Sequence, residues 1–78
     1  MPTLLRVGPY RFFCYVGDYN EPPHIHIEPD ADEAKFWLDP IRLQSNRRFS
    51  RTEISRIQKL IQENQAQLLA GWNDFFND

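Results

Sequence analysis

Phe49-Ser50-Arg51-Thr52-Glu53-Ile54 is the point at which this sequence changes its period, and the fold follows from that change. Ser50 is spaced to accept a hydrogen bond from the backbone N–H of Glu53. Glu53 can reach back to Ser50, and Phe49 can pack on Ile54, so a helix is predicted from about Arg51. Beyond it Ile54, Ile57, Leu60, Ile61, Leu68, Leu69, Trp72, Phe75 and Phe76 recur at steps of three and four, one apolar stripe on a long C-terminal amphipathic helix. Asn64, Gln65 and Gln67 interrupt the stripe, and Gly71 costs about 1 kcal/mol relative to alanine in a helix interior, so a bend or thinner packing is expected near 64–67.

Upstream the period is two. Leu4, Leu5 and Val7 lead through Gly8-Pro9 into Tyr10-Arg11-Phe12-Phe13-Cys14-Tyr15-Val16, which reads as a hairpin over residues 3–16. Gly17-Asp18-Tyr19-Asn20-Glu21-Pro22-Pro23 is an ordered surface loop, because neither proline can donate to a ladder. His24-Ile25-His26-Ile27-Glu28 alternates strictly, which puts Ile25 and Ile27 on one face and His24, His26 and Glu28 on the other, as in a half-buried strand. Pro29-Asp30-Ala31-Asp32 is turn chemistry, and Ala34-Lys35-Phe36-Trp37-Leu38 is a returning strand ended by Asp39-Pro40. The stretch 40–48 is too short and polar for a second full helix. The expected fold is α+β: an antiparallel sheet of about four short strands in two hairpins, packed against one long C-terminal helix, as a single domain over 1–78.

With 78 residues, one core is all the chain can bury. An aromatic share of 14% helps so small a core, since each aromatic buries much area. Such a core still leaves only about 3–5 kcal/mol of net stability, so a homodimer or a bound partner is expected to help. Cys14 is the sole cysteine, which rules out an intramolecular disulfide and suits a reducing compartment. No basic leader followed by an apolar stretch opens the chain and no apolar run reaches membrane-spanning length, so the protein is expected to be cytoplasmic, with no membrane partner.

A net charge of −2 argues against general adhesion to nucleic acid, but the charge is unevenly placed. Arg42, Arg47, Arg48, Arg51, Arg56 and Lys59 face a single acid, Glu53, between positions 42 and 59. Asp18, Glu21, Glu28, Asp30, Asp32, Glu33 and Asp39 crowd 18–39 against Lys35 alone. The basic segment offers guanidinium groups to phosphates or to an acidic protein, with Phe49 available for stacking; equally, arginines around a helix start form a solvated face.

His24 and His26 are the only histidines, and same-face strand residues two apart lie roughly 6.5–7 Å apart at the backbone, close enough for two imidazoles to meet on one ligand. Three readings follow. A metal would recruit Asp18, Glu21, Glu28 or Cys14 to complete the set, although the spacing singles out no third ligand. Without a metal the two rings could exchange protons during attack of an RNA 2′-hydroxyl while Arg42, Arg47 or Arg48 hold a phosphate. As ordinary structure, they are semi-exposed strand residues bonded to nearby loops. Trp37, Trp72, Phe75 and Phe76 fit the core better than a cofactor site, and Cys14 reads as an inert buried thiol. No phosphate-cradling glycine loop, nucleophile elbow or zinc-protease helix motif is present.

Pro2-Thr3-Leu4-Leu5-Arg6, Tyr10-Arg11-Phe12-Phe13, Glu21-Pro22-Pro23-His24-Ile25-His26-Ile27, Ala34-Lys35-Phe36-Trp37-Leu38 and Trp72-Asn73-Asp74-Phe75-Phe76 together resemble the small prokaryotic family catalogued as domain of unknown function 4160. The resemblance covers nearly the whole chain. Members are commonly encoded beside another small protein, and the pair looks like a two-gene toxin–antitoxin module in which the member of this family is usually labelled the toxin. The resemblance implies a toxin-like component paired with a small cognate protein from the adjacent gene; the polarised charge, small size and same-face histidines give RNA or the translation machinery as the expected target. The other expectation is a non-catalytic antitoxin, transcriptional regulator or interaction module that uses segment 42–59. The catalytic candidates are His24 and His26, the nucleic-acid or partner candidates are Arg42, Arg47, Arg48 and Arg51, and no cofactor is specified.

Overall fold

The computed structural model describes residues 3–28 and 33–76. Five strands run in sequence order, β1 (Thr3–Val7), β2 (Tyr10–Phe13), β3 (His24–Glu28), β4 (Glu33–Leu38) and β5 (Ile41–Arg47), followed by α1 (Arg51–Glu63) and α2 (Gln65–Phe76). Each strand pairs antiparallel with the next, in the sheet order β1-β2-β3-β4-β5. The α+β class and the antiparallel sheet are as expected, while the strand count and the single helix are corrected. The turn expected at 29–32 lies outside the described residues.

The fifth strand was missed because β5 is an edge. Its side chains from Arg42 onward are exposed, so no apolar alternation marks it in the sequence. The long helix is two helices because Asn64 leaves helical geometry at φ −119°, ψ 17°. Asn64 closes α1 by donating its backbone N–H to Leu60 and Ile61 carbonyls and its side-chain amide to Leu60 O, and its own carbonyl accepts from Leu68 N. The break falls where the polar interruption begins. Gln65 Nε2 then donates to Leu38 O at 2.6 Å, tying the start of α2 to the end of β4.

One sheet face carries the core. Phe12, Ile25, Ile27, Ala34, Phe36 and Leu38 from β2–β4 meet Phe49, Ile57, Ile61 and Leu68, all buried. Gly8 makes the β1–β2 turn with φ +56°, a conformation that costs glycine little. Ser50 caps α1 by accepting from Glu53 N at 3.1 Å. The Glu53 carboxylate, expected to reach back to Ser50, instead accepts from Tyr10 Oη at 3.3 Å. Asn46 braces the β5–α1 connection, donating from Nδ2 to Phe49 O and accepting from Phe49 N at Oδ1. Among the described residues no helix is long and apolar enough to cross a membrane.

Candidate functional site

The second sheet face should have been the wet one. Antiparallel register sets Phe13, His26 and Lys35 side by side, Arg11 beside Glu28, and His24 beside Trp37. Yet every residue of β3 from His24 to Ile27 is buried, with His24 0% and His26 8% exposed. The expectation of semi-exposed histidines is therefore corrected, and the sequence reason is the loop that follows β2. The strand predicted to run to Val16 stops at Phe13, and Val16–Asn20 wind into a 3₁₀ turn that carries Asp18 over the histidines.

Asp18 is locked from both ends of its own turn. Its backbone N–H donates to Tyr15 O at 3.0 Å, and its Oδ2 accepts the Tyr15 N–H at 2.8 Å. The same Oδ2 lies 3.1 Å from His24 Nε2 and 3.1 Å from His26 Nε2. The donor atoms of these three side chains all fall within 4.8 Å of one another. Aromatic rings wall the cluster: Tyr15 at 4.7 Å and Phe13 at 5.6 Å from the His26 ring, Trp37 at 5.6 Å and Trp72 at 5.0 Å from that of His24.

Proton counting shows what is unusual here. His24 Nδ1 sits 2.9 Å from Pro22 O, which can only accept, so Nδ1 carries the hydrogen and Nε2 is left facing the Asp18 carboxylate. His26 lies between two carboxylates, Asp18 at Nε2 and Glu33 Oε2 at 3.4 Å from Nδ1, so a neutral ring turns a lone pair toward one of them. His24 Nε2 and His26 Nδ1 are both buried without a hydrogen-bond partner among the described residues. Burial pushes the His26 pKa below its ordinary value; the nearby Asp18 charge opposes this and His24 adds to it.

The other candidate ligands separate cleanly. Glu21 stands 4.0 Å from His24 Nδ1, but its Oε1 is engaged at 2.7 Å by Lys35 Nζ, which also lies over the Trp37 ring. Glu28 pairs with Arg11 at 2.7 Å, and Arg11 in turn covers Phe13. Cys14 is fully buried, its thiol pushed up to about 11 by burial and by the Asp18 charge, in keeping with an inert thiol. Trp72 is buried, Trp37 and Phe76 are partly so, and Phe75 is exposed. Glu33 was not singled out as a ligand, although its place two residues before Lys35, which pairs with His26, puts it on the histidine face.

Arg42 pairs across the ladder with Trp37 and Arg47 with Glu33, so both arginines share the histidine face. Arg42 lines a cleft of about 310 Å³ with Pro22, Trp37, Asp39 and Pro40. Arg47 borders a separate open depression with Glu33, Ser45 and Asn46. Arg48 follows at φ +77° and Arg51 opens α1; both are exposed. The structure thus places Arg42 beside the neighbours of His24 and sets Arg48 and Arg51 beyond the end of the sheet.

No curated protein and no solved structure matches the chain. One family model does, over residues 10–73, a span that holds Asp18, both histidines, Glu33 and all four candidate arginines. By that match the chain belongs to the family described as Domain of unknown function (DUF4160).

Proposed function

We propose that the chain is the toxin-like effector of a two-gene module, acting on RNA from the Asp18–His24–His26 centre and held inactive by a small protein encoded beside it. One juxtaposition carries the reading: two buried imidazoles with unpaired nitrogens lie side by side, and one of them, His24, stands behind Trp37, the aromatic wall of a cleft that also presents Arg42. A buried polar atom left unpaired costs about 1–3 kcal/mol, a large share of the stability of so small a fold, and such departures concentrate at functional sites. Trp37 offers a stacking face to a base and Arg42 a fork to a phosphate. In the reaction the 2′-oxygen attacks phosphorus as its proton passes to one imidazole. The 5′-oxygen leaves with a proton from the other, giving a 2′,3′-cyclic phosphate and a 5′-hydroxyl. Expression alone should arrest growth and leave RNA with cyclic phosphate ends, and co-expression of the neighbouring gene should restore growth. Unimpaired growth with folded protein present would sink the reading.

A second reading is favoured by the arginines of β5 and the start of α1, whose exposure suits a regulator that binds operator DNA or an acidic protein surface. Gel shifts on the module's own promoter separate the two. A regulator binds there with strong salt dependence, and an effector does not.

A further inference from the structure

We infer that Asp18, His24 and His26 form a mononuclear centre for a first-row divalent cation of the zinc type, bound through Asp18 Oδ2 and the two Nε2 atoms. His24 Nδ1 is held by Pro22 O at 2.9 Å and His26 Nδ1 faces Glu33 Oε2 at 3.4 Å. A carbonyl on Nδ1, as at His24, is the arrangement that fixes a metal-binding histidine with its Nε2 lone pair forward, and Glu33 stands where it would do the same for His26 once that ring's hydrogen moves to Nδ1. Both Nε2 atoms meet a single carboxylate oxygen: His26 Nε2 is hydrogen-bonded to it at 3.1 Å, while His24 Nε2, its ring hydrogen held at Nδ1, turns a lone pair against it unless something positive lies between them.

A proton is the simplest such charge, but it fits the donor count poorly. Tyr15 N–H at 2.8 Å and His26 Nε2 at 3.1 Å already fill the two lone pairs of Oδ2, so a third donor from His24 has no place there. His24 Nε2, moreover, makes no hydrogen bond to Asp18 despite lying 3.1 Å away. A cation instead takes the lone pairs of both rings and of the carboxylate together. The distances agree. Ligands at about 2.0–2.2 Å set neighbouring donors about 2.9 Å apart at right angles and about 3.4 Å apart in a tetrahedron. The two 3.1 Å separations from Asp18 lie between these edges. No pair of donors is further apart than 4.8 Å, so a small closing of the imidazoles completes the set.

Two imidazoles and one carboxylate suit zinc, cobalt or iron(II) better than magnesium or calcium, and three protein ligands leave coordination positions for water. The binding follows from geometry alone; an ion there would occupy both Nε2 lone pairs, so on a phosphodiester it would act as a Lewis acid beside Arg42 in place of the imidazole proton exchange, and only the choice of RNA as target rests on the reading above.

The test is titration of the chelator-stripped full chain with Zn²⁺ and with Co²⁺, read by thermal unfolding, by Co²⁺ visible absorption and by the ring ¹⁵N shifts of the unmutated protein. We expect one ion per chain, a Tm rise of about 5 °C or more at saturation, and both Nε2 resonances moving, with both Nδ1 protonated in the bound form. Asp18→Asn keeps an acceptor for Tyr15 N–H and should stay folded with affinity at least ten-fold weaker; Glu33→Gln should weaken it about ten-fold through His26. Absence of a stoichiometric response in the unmutated chain, Nε2 resonances that do not move, or binding unchanged in Asp18→Asn would overturn the inference. The functional reading fails separately: a chain that binds the ion yet leaves growth and RNA untouched keeps its centre and loses its toxin role.

Discussion

The two faces of one sheet follow opposite rules. Under α1 and α2, Phe12, Ile25, Ile27 and Phe36 form a dry layer in which burial is favourable residue by residue. On the reverse face the same strands bury His24 and His26 under a 3₁₀ turn, two tryptophans and a tyrosine, with ring nitrogens left unpaired. The first layer makes the fold stable. The second spends part of that stability on a chemical arrangement, which is the usual sign of a site rather than a core.

That contrast is sharpest when each face is emptied. Phe36→Ala should cost about 4 kcal/mol through lost burial and a residual cavity, enough to unfold most of a chain this small, as far-UV circular dichroism at 25 °C would show. His24→Leu with His26→Leu removes the orphan nitrogens and fills their space with carbon but takes the His26 hydrogen bond from Asp18, so stability should fall by no more than about 2 kcal/mol, well short of Phe36→Ala. Cation binding and growth arrest should vanish in the same variant. If the double leucine chain unfolds as Phe36→Ala does, the histidines are structural and the contrast is broken.

The next effect is electrostatic and belongs to the histidine face. Cys14 keeps its proton to about pH 11 in the folded protein because burial and Asp18 disfavour the thiolate, against an ordinary value of 9.0. Above pH 9 the unfolded chain therefore binds fewer protons than the folded one, and stability falls as pH rises toward 11, by roughly 2 kcal/mol from this group. Cys14→Ala should flatten that slope in denaturant titrations at pH 8 and pH 10.5. An equal slope in the variant would assign it elsewhere, Tyr15 being the nearest candidate since burial raises its pKa as well.

How much of this was legible depends on which layer a residue serves. The dry face could be read from period alone, since alternation in 24–28 and 34–38 and three- and four-residue steps after Ser50 record burial directly. The edge strand Ile41–Arg47 could not, because exposed edge residues owe nothing to a core and carry no pattern. Asp18 was one of several acids available to the histidines, and only the backbone of the Tyr15–Asp18 turn selects it. Periodicity also mistook the reverse face for solvent. It registers which residues share a face but cannot show that a loop has closed over that face.

The smallest expected effect tests how firmly α2 joins the two layers. Leu68 of α2 lies in the dry core, and one turn on Trp72 stacks near His24. Between them, a methyl group added at Gly71 would meet Leu4 Cδ2 of β1 at 3.3 Å. Gly71→Ala should gain about 1 kcal/mol in helix propensity and lose a similar amount by crowding Leu4, a terminal methyl on a partly buried edge strand that can turn aside. The net change should lie within about 0.5 kcal/mol of zero by denaturant titration. A loss above about 1.5 kcal/mol would mean that β1 cannot yield and that α2 is clamped between the layers. If Leu4→Ala then restored the stability of Gly71→Ala, the clamp would be located at that one contact.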